Sequence, residues 1–190
     1  MRLLKAEDHV RMRWKNGGGE TAEIAVHPPG TGLGGFDWRV SMASVAADGP
    51  FSRFPGIDRT LAILDGEGMD LVVEGRGTLR LTQASAPLAF PGDVPAEARL
   101  VAGTVTDLNV MTRRTACRRR VTRLRGTVPP FAASGRWVVV VAIGPSTLVA
   151  DGRTVPLGGR DALLLEGGAT IAGDRPVDLV VVEIDAIASS

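Results

Sequence analysis

Ser146-Thr147-Leu148-Val149-Ala150-Asp151-Gly152-Arg153-Thr154-Val155-Pro156 decides the fold class. Two short runs carrying Leu148-Val149 and Thr154-Val155 flank an Asp-Gly pair, the strongest short-range signal for a two-residue β-hairpin. The same grammar recurs on both sides of it. Asp48-Gly49 and Asp65-Gly66 mark further turns, and 24 glycines and 12 prolines punctuate the chain throughout instead of gathering in a linker. Trp38, Val40 and Met42 alternate with Arg39 and Ser41. Met69, Leu71 and Val73 alternate with Asp70 and Glu74, and Leu79 and Leu81 with Thr78, Arg80 and Thr82. Each pattern predicts a half-buried strand with one polar face. Trp137 to Ile143 and Asp178 to Ile184 are near-continuous apolar runs of strand length, which predicts strands covered on both faces. Nothing comparable has helical spacing. The expectation is an all-β chain of jelly-roll type with very little helix, because rolled double sheets limit exposed edges without helices to cover them.

Composition bounds the function. At 190 residues, 44% hydrophobic and 23% charged, the chain is globular and long enough to bury a core. Its apolar runs fall far short of the roughly 18 to 20 residues of a membrane-spanning helix, and MRLLKAEDHV carries charges where an export signal needs an apolar centre. A cytoplasmic address without a membrane partner is expected. One cysteine, Cys117, with only His9 and His27 beside it, excludes an intrachain disulfide and a Cys/His zinc site. Net charge is +1, but seven arginines crowd between Arg113 and Arg125. Clustered arginine suits phosphates, yet no aromatic is interleaved there to stack bases, so nucleic acid is disfavoured as a partner. The segment reads as a solvated connector between an N-terminal half, residues 1–114, and a C-terminal half, residues 115–190, with room for strands exchanged between them. The first half holds most of the unusual residues, and function is expected there.

Three clusters stand out in it. In Trp14-Lys15-Asn16-Gly17-Gly18-Gly19, an aromatic, a cation and an amide precede three glycines, which let a backbone approach a ligand closely and turn N–H groups toward an anion. The plain alternative is a turn between two strands. In Phe51-Ser52-Arg53-Phe54-Pro55-Gly56-Ile57-Asp58-Arg59, a turn leads into an apolar strand. Alternation puts Arg59 on the face of Leu61 and Ile63, and Asp58 on the face of Thr60 and Ala62. An arginine on an apolar face needs an anion, either a ligand carboxylate or an internal partner such as Asp58 or Asp107. In Asp107-Leu108-Asn109-Val110-Met111, the period of two gathers Asp107, Asn109 and Met111 on one face. That face lines a cavity or forms a structural hydrogen-bond network. Catalytic signals are weak by comparison. No Ser-His-Asp ordering exists, His27 sits in a His-Pro-Pro-Gly loop expected to be solvated, His9 reads as a surface or strand residue, and Cys117 has no histidine nearby in sequence.

Taken together, RWKNGGGETAEIAV (13–26), FSRFPGIDRTLAILDGEGM (51–69) and TDLNVMTRR (106–114) resemble the HutD/Ves family, in that order and over most of the chain. The resemblance implies a bicupin, two cupin-type jelly-roll β-barrels in one chain. Ordinary cupins hold a metal through histidines and a carboxylate. Here Ala89-Phe90-Pro91-Gly92-Asp93-Val94-Pro95 places Pro95 about where the second motif's histidine would stand, and no histidine lies near Gly56 to Leu64. Neither a metal nor another cofactor is expected.

The family is associated with histidine utilisation in bacteria, with N-formylglutamate its proposed ligand and control of pathway flux its proposed role. On that implication the partner is a small carboxylate-bearing metabolite. Lys15 and Arg59 would meet its carboxylates and Asn16 and Asn109 its amide. The Gly17 to Gly19 amides would meet a carboxylate oxygen, and Trp14, Phe51 and Phe54 would wall the pocket. Two alternatives stay open: an isomerase or hydrolase using Asp58 or Asp107 as base, and a stress-associated interaction protein meeting RNA or an acidic partner through its arginines. Barrel edges also leave a homodimer open.

Overall fold

The structure, a computed structural model, describes residues 1–14, 17–173 and 175–188. The described residues are almost entirely strands and turns, with one 3-10 turn at Ala6–Asp8. None of their helices is long and apolar enough to cross a membrane. The chain divides into two compact units, Val10–Ala116 and Met1–His9 with Cys117 onward.

β1 (Arg2–Leu4) leaves the strands that follow it in sequence and joins the C-terminal unit. The N-terminal unit contains β2 (Val10–Arg13), β3 (Gly19–His27), β4 (Trp38–Val45), β5 (Gly49–Pro50), β6 (Ile57–Asp65), β7 (Met69–Val73), β8 (Gly77–Leu81), β9 (Leu88–Pro91), β10 (Ala96–Leu100) and β11 (Val105–Arg113). They form a six-stranded sheet, β2-β3-β4-β11-β6-β9, and a four-stranded sheet, β5-β10-β7-β8. One apolar cluster joins the two: Val45, Leu61, Ile63 and Val105 from the larger sheet pack with Met69, Leu71, Val73 and Ala98 from the smaller.

The C-terminal unit adds β12 (Cys117–Gly126), β13 (Phe131–Ala133), β14 (Trp137–Ala142), β15 (Ser146–Ala150), β16 (Arg153–Leu157), β17 (Ala162–Glu166), β18 (Ala169–Gly173) and β19 (Val177–Ala186). Its sheets run β1-β17-β14-β19-β12 and β13-β18-β15-β16. The predicted hairpin joins β15 to β16, with φ of 48° at Asp151 and 74° at Gly152, the two left-handed positions that an Asp-Gly turn of this kind requires. The apolar runs expected to be covered on both faces are β14 and the centre of β19. Each unit is a two-sheet jelly roll of the cupin type, as expected of an all-β bicupin, with its sheets facing each other instead of closing into a β-barrel.

Three local expectations are corrected. The arginine-rich segment is not a solvated connector. It continues into β12, an edge strand whose partner β19 supplies carboxylates: Arg120 pairs with Glu183 at 2.7 Å and Arg123 with Asp178 at 2.8 Å. Arginine suits such an edge because its stem covers apolar surface while its head reaches an anion. Two of the seven arginines belong to the N-terminal unit, where Arg114 bridges Asp58 and Asp93. His9 is buried, not a surface residue. His27 is not in a solvated loop either: it ends β3, half-buried, its ring stacked 5.9 Å from that of Trp38.

Candidate functional site

The six-stranded sheet places its polar residues by register. On β11, Asp107, Asn109 and Met111 share a face and all three are buried. Met111 stands opposite Arg39 of β4 on one side and Arg59 of β6 on the other, while Asn109 stands opposite Ser41 and Leu61. A cavity of about 590 Å³ opens beside this face, between the two sheets of the N-terminal unit. That volume falls within the usual range for small-molecule sites.

Arg59 is one of the charged groups at its wall and is only 3% exposed. Its guanidinium lies 4.7 Å from the Phe51 ring centre, 5.4 Å from Phe90 and 6.0 Å from Phe54, an arrangement of cation–π contacts that also keeps water away. Its Nε donates to Asn109 Oδ1 at 3.4 Å and its Nη1 to the Ser52 carbonyl at 3.3 Å, both long. Burial draws the Arg59 pKa down to about 10, so the group keeps its charge at neutral pH. With Oδ1 turned toward Arg59, the Asn109 amide N–H2 is the end left to donate.

Asp107 lies two residues before Asn109 on the same face, completely buried, and neither carboxylate oxygen has a hydrogen-bond partner. Burial pushes its pKa up to about 7, against the opposing pull of Arg59's charge. It does not line the cavity.

The glycine cluster closes the hairpin between β2 and β3. Gly17 takes φ of 71° and its N–H donates to the Trp14 carbonyl at 3.1 Å, while the Trp14 N–H donates to the Gly19 carbonyl at 2.9 Å. The Gly17 amide is thus spent inside the turn and is not offered to an anion. Trp14 Nε1 donates to Thr21 Oγ1 at 2.8 Å, laying the indole along β3 at the cavity wall. Gly19 is required by packing: a Cβ there would collide with the Ser44 carbonyl oxygen and stand 3.1 Å from the Trp14 ring. Gly19→Ala is therefore expected to lower stability by about 2 kcal/mol in chemical denaturation and to shift the Trp14 fluorescence. An alanine variant as stable as the parent would contradict that packing.

The same three clusters invite comparison with known proteins. The HutD family model matches residues 6–180. The chain belongs to the HutD family. It is 36% identical over 174 residues to the uncharacterized 21.2 kDa protein in the hutC 3' region of Pseudomonas putida, covering 91% of this chain and 90% of that one. It is 39% identical over 144 residues to protein Ves of Citrobacter koseri, covering 73% of each. Among solved structures, HutD from Pseudomonas fluorescens SBW25 matches with a TM-score of 0.84 at 31% identity, over 98% of this chain and 99% of that one. Solved structures of about 10% identity share the fold alone.

In this family member the cavity gathers Trp14, Gly18, Phe51 and Phe54, together with Arg59, Asn109 and Met111. Lys15 and Asn16 lie outside the described residues. Asp58 does not reach the cavity: alternation turns it to the other side of β6, where it pairs with Arg114 at 2.8 Å. Asp107 shares the β11 face of Asn109 and Met111 but does not line the cavity. Among the described residues no three His, Cys, Asp or Glu side chains gather closely enough to hold a metal ion.

Sequence reasoning missed Arg39 and Arg13, which also line the cavity. Alternation predicts a half-buried β4 with Arg39 and Ser41 on its polar face, yet Arg39 is 4% exposed and Ser41 is fully buried, because that face is the cavity face. The available signal was that three neighbouring strands each carry polar groups on one face: Arg39 and Ser41, Asp107 and Asn109, and Arg59.

Proposed function

We propose that this chain binds a small carboxylate-bearing metabolite, N-formylglutamate or a close relative, in the N-terminal cavity, and that binding without turnover and without a metal regulates or limits flux through histidine utilisation. The observation that carries the reading is Arg59. A guanidinium 3% exposed and ringed by phenylalanines at a cavity wall suits a bidentate carboxylate, with the Asn109 amide beside it for a formyl oxygen. The pathway rests on the relatives, one of them named for its place beside hutC and another named HutD.

Calorimetric titration of metal-stripped protein with N-formyl-L-glutamate tests it, with L-glutamate, urocanate and added divalent metal as controls. Saturable binding of the formylated compound alone is expected. Binding of urocanate in its place, or binding only with metal present, would overturn the ligand assignment.

A second reading is favoured by one observation: the Asp107 carboxyl is buried without hydrogen-bond partners on the β11 face that carries Asn109 and Met111 to the cavity, and burial raises its pKa toward the range of an acid–base catalyst. On that reading the cavity belongs to an isomerase or hydrolase. Absence of product by NMR after prolonged incubation with N-formyl-L-glutamate sinks it for this compound.

A further inference from the structure

We infer that Arg39 forms a second anion subsite in the same cavity, so that the ligand is a dianion whose two carboxylates are divided between Arg39 and Arg59. The inference rests on the N-formylglutamate reading above and names the residue that meets the second of its two carboxylates.

Arg39 lies on β4 and Arg59 on β6, and both stand in register with Met111 of the intervening β11, so their backbones are roughly 10 Å apart and their side chains share one face. Both line the cavity. Arg39 is 96% buried, and its Nε donates to Glu23 Oε2 at 2.6 Å, which fixes the plane of the guanidinium. Its Nη2 is buried and has no hydrogen-bond partner. Two residues on, Ser41 Oγ is also buried without one. A charged donor left unmatched inside a protein is costly, and a built cavity beside it supplies the place for an acceptor.

Charge points the same way. Glu23 already balances Arg39 in part, and the Asp107 carboxyl counters the charge of Arg59, yet the positive charge of Arg39 is felt at Arg59 and helps to hold its pKa down. Arg13 adds a third guanidinium to the lining, against one carboxylate there, Asp48. Two guanidiniums that disfavour each other in the free protein are both relieved by one dianion spanning them. Met111, packed against Phe36 and Ile57 with Phe54 alongside, forms an apolar floor between the two heads and suits the short aliphatic chain of a diacid.

The test compares N-formyl-L-glutamate with its two mono-amides, N-formyl-L-glutamine and N-formyl-L-isoglutamine, by calorimetry on the parent, on Arg39→Lys, and on the double variant Glu23→Gln/Arg39→Gln. The double variant removes both members of the ion pair and leaves no buried charge unmatched, and thermal unfolding checks its fold. Substitution of Arg39 is expected to weaken the diacid and one mono-amide about tenfold, and to leave unchanged the other mono-amide, which lacks the carboxylate that Arg39 holds. Equal weakening of all three compounds, or no change in any, overturns the subsite while leaving the carboxylate reading in place. If the parent binds none of the three, the carboxylate reading falls and the subsite falls with it.

Discussion

An Arg59→Gln variant is expected to lose roughly 100-fold in affinity for N-formyl-L-glutamate, about 3 kcal/mol, while keeping its fold. The loss has two sources. The guanidinium contributes a charge-assisted fork that glutamine cannot reproduce, and the phenylalanine rings that surround it, with Phe51 centred 4.7 Å away, exclude the water that would otherwise screen the pair. Arg59→Lys should recover little, because an ammonium is a point charge that cannot hold a carboxylate through two parallel bonds and gives up stacking against the rings. Calorimetry reads both variants, and circular dichroism confirms their folds. Affinity unchanged in Arg59→Gln would remove Arg59 from the site and with it the proposed binding mode.

Asp107→Asn is expected to stabilise the protein at alkaline pH, by up to about 4 kcal/mol. The sign follows from the proton. Burial raises the Asp107 pKa from the usual carboxylate value near 3.8 to about 7, so between those pH values the folded chain holds a proton that the unfolded chain has released. Stability contributed by this group is therefore undiminished below about pH 4, falls as pH rises through the window, and is lost above about pH 7, where a charged carboxylate without hydrogen-bond partners must be kept buried. Asparagine has nearly the same shape and never ionises. The difference in unfolding free energy between variant and parent, measured by denaturant titration at pH 5, 6, 7 and 8, should grow in favour of the variant from pH 5 to about 7 and level off by pH 8. A difference that stays constant across that range would mean that Asp107 does not titrate there.

Much of the molecule was legible in the residues alone. Alternation in Asp107 to Met111 and in Asp58 to Leu64 correctly assigned each side chain to a face, because a strand has a period of two whatever surrounds it. Turn chemistry was local for the same reason: Asp151-Gly152 needs no distant partner to adopt its left-handed conformation. The three motifs were enough to mark the family, and residues from each of them line the cavity of the N-terminal unit.

Alternation cannot say which face of a strand is covered. That depends on which strands pair and which sheet packs opposite, and for this reason the alternation around Arg39 and Ser41 does not reveal that their face is buried and borders the cavity. Pairing also decided the fate of the arginine-rich segment, whose side chains found Asp178 and Glu183 only because β19 lies alongside β12. The same holds for Asp58, drawn to Arg114 from 56 residues away. Composition and local pattern thus determined the all-β class, the hairpins and the candidate residues one strand at a time. Only the tertiary register set Arg39 and Arg59 on either side of Met111, since bringing two positive charges to one buried face requires long-range pairing that no local stretch of sequence encodes.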